Sequence, residues 1–322
     1  MPQRPGTRKA PRVALTVAVY VALFALLILL AVTSRAPEEE AVYGSLEGRF
    51  DSAITLQAGD TTCHYREMEI TNYLLIGVDT DVLTSGSAQA DFLVLLSVDR
   101  RAGTITPLMV DRDTIAPVTT YGAFGNASGE KQMQICLAQA FHGKHMTGSD
   151  NTSQALSRVL CGVPIDHYVA VDMAGITLLN DAIGGVEVHL EDDFSALDPA
   201  MVQGATILLK GRQAELFVRS RMDVADGTNA SRMQRQRLYL ESMLPRLFEG
   251  NVWEDALRAL QGHYETDMTD AAMLSDLQKY GDYRWQSWIT LPGAYHIGED
   301  GFTEFHPDED ATQNMLCALW FH

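Results

Sequence analysis

The chain has 322 residues, 46% of them hydrophobic, and a formal net charge of −18 from 24 Lys and Arg against 42 Asp and Glu. That balance argues against a nucleic-acid partner, because affinity for a phosphate backbone rests on many basic contacts; an anionic ligand would have to be met by a local cluster. Four cysteines without a CxxC pair, and nine histidines without HExxH or paired spacing, argue against a zinc site.

Val13–Val32 carries no charge. At about 1.5 Å per helical residue it is long enough to cross a hydrocarbon core of roughly 30 Å, so a transmembrane helix is expected over 13–32. Arg4, Arg8, Lys9 and Arg12 precede it, whereas Glu38, Glu39 and Glu40 follow a lone Arg35. The basic flank, residues 1–12, should therefore stay in the cytoplasm and the remainder be extracellular, anchored by a single span in the cell membrane. The alternative, a cleaved signal peptide, has a shorter apolar core and here only a weak site around Thr33-Ser34. Residues 33–70 mix Pro, Glu, Gly and Ser and read as a linker and irregular lead-in, with order expected from about Thr71.

Two nearly continuous apolar runs, Asn72–Val78 and Asp91–Val98, predict buried strands. After the turn at 99–103, Thr104–Val110 should return antiparallel to the second. Ser149–Leu160 and Met173–Ile183 read as helices, the latter stopped by Gly184-Gly185 before a strand at Val186–Leu190. Leu216–Arg221 is expected as a further strand, and Asp226-Gly227-Thr228-Asn229 as a turn capping a helix from about Ala230 to Phe248. Pro307-Asp308-Glu309-Asp310 predicts a capped terminal helix. Helices thus interleave with strands, the pattern of an α/β domain.

Two clusters carry chemistry. Asp91 opens one strand of the hairpin and Asp111-Arg112-Asp113 closes the other, so these residues meet at one sheet edge. Asp79 joins them if its strand runs parallel to Thr104–Val110. Gathered carboxylates need a cation or an arginine between them, and hard oxygen ligands suit Mg²⁺; the alternative is that these aspartates simply end strands and make turns. The second cluster is Arg219, Arg221, Arg232, Arg235 and Arg237. On the predicted helix Arg232, Arg235, Gln236 and Tyr239 share a face near the positive end of the helix dipole, while Arg219 and Arg221, two apart on a strand, would point the same way. Guanidinium groups with helix N-terminal amides suit pyrophosphate; the alternative is a solvated basic face paired with Glu215, Asp223 and Glu241.

NYLLIGVDTD, ADFLVLLSVDRRAGTITPLMVDRDT, GVPIDHYVAVD, NDAIGGVEV and FVRSRMDVADGTNASRMQRQR, in that order after the N-terminal apolar segment, resemble the LytR-CpsA-Psr family of cell-wall glycopolymer ligases. The resemblance is firm over 71–245 and looser to the C-terminus. It implies a three-layer α/β/α domain with a central mixed sheet over 71–322, on the outer face of mainly Gram-positive membranes. It also implies an enzyme that moves a teichoic-acid or capsule-like glycan from a polyprenyl-pyrophosphate carrier to peptidoglycan through a phosphodiester, with Mg²⁺. By position Asp79 and Asp91 match the family's metal-site aspartates, and Arg112 with Asp113 its Pro-Arg-Asp motif. Arg219, Arg221, Arg232, Arg235 and Gln236 match the residues that grip the pyrophosphate. Asp91 and Asp113 are the alternative bases for the attacking hydroxyl.

The chain departs from the family pattern at Gln89, where Arg is common, at Gln134-Ile135-Cys136, where Lys-Ile-Asn is usual, and at Asp111, the prior Pro of Pro-Arg-Asp. The first two departures remove positive charge, for which Lys131 could compensate, and the third adds a carboxylate. Gln89 and Gln134 make a non-catalytic lipid-binding regulator one rival reading, and because the motifs do not identify the acceptor, a polyprenyl-pyrophosphate phosphatase is the other. His167 is expected to start a strand rather than catalyse. Tyr73, Phe92, Phe217 and Tyr239 read as packing residues, some of which could line a groove for a polyprenyl chain. A Cys136–Cys161 disulfide and buried free thiols are both open.

Overall fold

A computed structural model describes residues 54–58, 61–80, 83, 88–221, 224–248 and 252–322. The expected membrane helix at 13–32 lies outside these residues; among those described, no helix is long and apolar enough to cross a membrane. In chain order, strands β1 (Thr55–Ala58), β2 (Thr61–His64), β3 (Ile70–Val78), β4 (Ala90–Asp99), β5 (Thr104–Val110), β6 (Ile115–Tyr121) and β7 (Ala127–Gln134) lead to helix α1 (Gly148–Val159). Then follow β8 (His167–Asp172), α2 (Met173–Ala182), β9 (Val186–His189), β10 (Thr206–Leu209), α3 (Arg212–Arg219), α4 (Asn229–Phe248) and α5 (Trp253–Leu260). The chain ends with β11 (Tyr264–Thr266), α6 (Asp270–Tyr280), β12 (Arg284–Trp285), β13 (Ile289–Thr290), β14 (Gly293–Ile297), β15 (Thr303–Pro307) and α7 (Glu309–Trp320).

The central sheet is mixed, in the order β11-β8-β3-β4-β5-β12, with β13 also on β5. Its three middle strands form an antiparallel ladder, with Leu74 opposite Leu95 and Leu95 opposite Leu108. The parallel pairs are β3 with β8, and β5 with β12 and β13. Strand alternation sends Leu74, Ile76, Leu93, Leu95 and Leu108 to one face, where Leu156 and Leu160 of and after α1 and Leu316 and Trp320 of α7 cover them. Val94 and Met109 face the other way, under Ala214 and Phe217 of α3 and Tyr239, Leu240 and Met243 of α4. Both faces are covered, which is why these strands read as unbroken apolar runs. Leu95 is fully buried, so Leu95→Ala should cost about 2–5 kcal/mol.

Two sequence expectations are corrected. Ordered structure precedes Thr71: β1 and β2 pair, and the C-terminus zips onto them, with His64 N–H donating to the His322 carbonyl at 2.9 Å and Tyr65 bridging Phe321. Leu216–Arg221 is not a strand. Ala214, Phe217 and Val218 are the buried residues of α3, and their spacing of three and four is helical, so the apolar stretch belongs to an amphipathic helix on the sheet. The helices α1, α2 and α4 and the strands β3, β4, β5 and β9 lie within a residue or two of their expected bounds, α7 starts at the expected Asp308 cap, and Gly184 and Gly185 end α2 with positive φ of 81° and 92°. All four cysteines are free; Cys136 contacts Arg112, whereas Cys161 packs against the core face under α7.

Candidate functional site

Because β3 and β5 both run antiparallel to β4, the ends of β3 and β5 and the start of β4 share one edge. Asp79, Asp91, Asp111, Arg112 and Asp113 stand there. The ladder is irregular at this place: Gly77 pairs with Phe92 but Val78 with Ala90, which makes Asp91 the extra residue of a bulge. Bulges re-aim side chains, and the close approach requires glycine, since a Cβ on Gly77 would lie 2.9 Å from that of Phe92.

Asp91 is 7% exposed and bridges two guanidinium groups. Its Oδ1 accepts from Arg112 Nη1 and its Oδ2 from Arg232 Nη1 at 2.6 Å. Arg112 also donates to Gln89 Oε1 at 2.6 Å and to Cys136 Sγ at 3.1 Å. Burial pushes the Cys136 thiol up to about 11, so it stays protonated beside that cation. Arg232 sits in the first turn of α4, where Asn229 Oδ1 accepts from its Nη2 at 2.6 Å. The turn before α4 is fixed by Asp226, which accepts from Thr228 and Ser231 and is thereby held down at about 2.

Asp113 is buried, with Arg112 Nε 3.4 Å and Gln134 Nε2 3.1 Å from its Oδ1. Burial, and then the neighbouring Asp111 charge, push its pKa up, opposed by Arg112, Arg221 and Arg232. Asp111, also buried, is fully engaged: Oδ1 accepts from Asp113 N at 2.8 Å and Asn229 Nδ2 at 2.7 Å, and Oδ2 from Tyr295 O–H at 2.6 Å. Asp79 follows β3 and pairs with Arg219 Nη2 at 2.8 Å; Arg219, 49% exposed, also pairs with Glu215.

The arginine cluster divides. Arg219 ends α3 and reaches Asp79, Arg221 is exposed just beyond it, and Arg232 reaches Asp91. Gln236 Nε2 donates to the Val218 carbonyl at 3.2 Å, while its Oε1 is buried with no partner among the described residues. Arg235 turns elsewhere: it donates to the Phe217 carbonyl at 3.2 Å, to the Ser220 carbonyl and to Asp192 at 3.0 Å, closing the open end of α3. With α3 helical, Arg219 and Arg221 do not share the side of a strand as expected. His167 starts β8 and pairs with Asp267 at 2.9 Å, away from these groups.

Between the sheet, α2, α4 and α5 lies a cavity of about 290 Å³. Phe92, Met173, Ile176, Tyr239, Leu240 and Trp253 give it apolar walls, and Asp91, Arg219, Arg232 and Gln236 line the same space. Of the aromatics singled out in the sequence, Phe92 and Tyr239 line it, whereas Phe217 and Tyr73 pack elsewhere. Sequence reasoning missed Tyr295 and Asn229 as partners of Asp111, because neither stands in a motif near it in the chain.

Among the described residues no group of three or more His, Cys, Asp or Glu side chains is arranged to hold a metal ion. Asp79 and Asp91 carry hard carboxylate oxygens of the kind that suit Mg²⁺, but both oxygens of Asp91 accept from Arg112 and Arg232 and Asp79 pairs with Arg219, so a metal would have to take the place of these cations, with a ligand's phosphates and water completing its shell. An α/β/α sandwich with a carboxylate and arginine site at a sheet edge, opening onto an apolar cavity, defines the class. The chain belongs to the LytR_cpsA_psr family, whose model matches residues 43–319. A relative from Bacillus cereus, the polyisoprenyl-teichoic acid–peptidoglycan teichoic acid transferase TagU, is 28% identical over 258 residues, 79% of each chain. Protein gbs0355 of Streptococcus agalactiae shares the fold with a TM-score of 0.64 at 21% identity, over 78% of this chain and 87% of that one. Bacillus subtilis TagT does so with a TM-score of 0.60 at 18% identity, over 78% and 89%.

Proposed function

We propose that this protein is a membrane-anchored, Mg²⁺-dependent phosphotransferase that moves a glycopolymer from a polyprenyl-pyrophosphate carrier to peptidoglycan through a phosphodiester. The observation that carries the reading is the joining of two guanidinium groups, buried Arg232 and half-exposed Arg219, to an apolar cavity that Gln236 also lines. A prenyl pyrophosphate has the matching two halves, an anionic head and a hydrocarbon tail. The names of the curated relatives supply the reaction class. Val13–Val32 would keep the site beside a bilayer that holds the carrier, raising its effective concentration.

In this reading Arg219, Arg221 and Arg232 bind the pyrophosphate and stabilise the charge that develops on its oxygens. Asp79 and Asp91 would hold Mg²⁺, which when bound supplies further neutralisation of the phosphates. Arg112 orients Asp91 and restrains Asp113, and Arg235 positions the end of α3 that carries Arg219. The acceptor hydroxyl oxygen attacks the phosphorus nearest the glycan. The bond from that phosphorus to the bridging oxygen breaks, and polyprenyl phosphate leaves with the electron pair. The hydroxyl proton passes to Asp113, which suits the base better than Asp91: its pKa is raised, and both oxygens of Asp91 already accept from arginines.

The test is transfer by the full-length protein from a synthetic polyprenyl-pyrophosphate glycan to peptidoglycan oligomers with Mg²⁺. Asp79→Ala and Arg219→Ala should each abolish the product. Retention of product in both would overturn the assignment of these clusters to one site.

A further inference from the structure

β14 and β15 form a hairpin that projects from the same sheet edge, paired from Gly293 opposite Pro307 to Ile297 opposite Thr303. Buried Phe305 ties it to the core on the sheet, and hydrogen bonds fasten it to the site. Phe305 N–H donates to the Asp113 carbonyl at 2.8 Å, and Phe305 bridges Thr114. Tyr295 O–H donates to Asp111, and Gln134 Nε2 donates both to Asp113 and, at 2.7 Å, to the Thr303 carbonyl. Asp111 and Gln134 are two of the positions where the chain departs from the family pattern, and both departures are used to hold this hairpin.

Its surface is unusual for this molecule. Three of the nine exposed large hydrophobic side chains among the described residues lie on it: Tyr295 at 51%, Ile297 at 72% and Phe302 at 65%. Tyr295 and Ile297, two apart on β14, point to one side, and Tyr295 rests edge-on against buried Phe305 with ring centroids 5.1 Å apart. The segment from Pro292 to Asp310 has Glu299, Asp300, Glu304, Asp308, Glu309 and Asp310, but no Lys or Arg. An anionic carrier pyrophosphate is repelled from such a surface and drawn to the arginines of α3 and α4. An uncharged sugar is not, and a pyranose ring presents a C–H face to aromatic side chains and hydroxyls around its rim.

Resting on the phosphotransferase reading above, we propose that the β14–β15 hairpin is the acceptor subsite: it seats neutral pyranose units of a glycan strand around its tip, on Tyr295 and Ile297 of one face and on Phe302, which pairs with Gly298 at the turn. It thereby delivers a sugar hydroxyl to Asp113. The donor and the acceptor are thus sorted by charge between the arginines of α3 and α4 and the hairpin, two elements that meet at Asp111 through Asn229 and Tyr295.

The experiment uses the full-length protein in detergent, with a peptidoglycan oligosaccharide as acceptor and a synthetic polyprenyl-pyrophosphate disaccharide as donor. Ile297→Ser/Phe302→Ser should raise the acceptor KM about tenfold while the donor KM stays within twofold, the size expected for two lost stacking contacts. Phe302→Trp should restore the acceptor KM, and the thermal midpoint of each variant reports that the domain is folded. An acceptor KM that stays at the wild-type value in a folded double variant, or a donor KM that rises with it, overturns the proposal. Acceptor binding is also read without donor, by saturation-transfer NMR. Signals that depend on Phe302 in a wild-type protein that transfers nothing would support the subsite and sink the phosphotransferase reading. Transfer that is indifferent to the hairpin would do the reverse.

Discussion

Asp91→Ala leaves Arg112 and Arg232 facing each other across a space that held a carboxylate. Arg232 is 4% exposed and Arg112 15%, so neither cation regains full hydration. Removing one partner of a buried ion pair costs about 3–5 kcal/mol, because the remaining charge is uncompensated. For a domain of this size that corresponds to a fall of roughly 6–20 °C in the thermal midpoint. Asp79→Ala is the control. Its partner Arg219 is half exposed, and exposed pairs contribute only about 0–1 kcal/mol, a shift of at most roughly 4 °C. Differential scanning of both variants, without donor and in EDTA, checks the contrast. Equal shifts for the two, or no shift for Asp91→Ala, would refute the claim that Asp91 is the buried keystone of the arginine cluster.

Asp113 has a raised pKa in the fold, so the native state binds its proton more tightly than the unfolded chain does. The stabilisation from that proton is complete below the ordinary Asp value and is lost as pH rises through the raised one. Asp113→Asn should therefore gain stability relative to wild type near neutral pH and lose that gain below about pH 4, as read by urea unfolding in EDTA. Gln134→Lys places a cation on Asp113 and should move the acid limb of the transfer rate to lower pH; an unmoved limb would exclude Asp113 as the base. Arg235→Ala should lower the thermal midpoint, since the carbonyls at the end of α3 and Asp192 lose their shared donor, whereas Arg219→Ala should abolish donor binding with little change in midpoint. Removing Mg²⁺ with EDTA should stop transfer and leave the fold intact by circular dichroism; transfer that survives EDTA would dismiss the metal.

The parts legible in the sequence are those in which both sides of an element are buried or a cap is spelled out. β3, β4 and β5 announce themselves as unbroken apolar runs, and Asp308 caps α7 as its residue type requires. The sheet edge followed from the hairpin alone, which brought Asp91 to Arg112 and Asp113. Leu216–Arg221 misled because Leu-Phe-Val is short and β-like, while the helical spacing of Ala214, Phe217 and Val218 began before it. The helix face of Arg232, Arg235, Gln236 and Tyr239 was legible, and all four are buried on it. Their partners were not, since Arg235 sits beside α3 and Arg232 beside β4, a division set by tertiary packing. The hairpins β1–β2 and β14–β15 carry no long apolar run, because β14 is exposed along its whole length and β2 buries only Cys63. Tyr295 was invisible for that reason.

The central claim is that a glycan phosphate passes to a sugar hydroxyl rather than to water. Its most direct test is mass spectrometry of the products formed by full-length protein with a polyprenyl-pyrophosphate glycan, Mg²⁺ and peptidoglycan oligomers in heavy-oxygen water. A glycan joined to the acceptor by a phosphodiester with no heavy oxygen is the predicted result. Free glycan phosphate carrying one heavy oxygen, formed in the presence of acceptor, would contradict the account and make the protein a hydrolase.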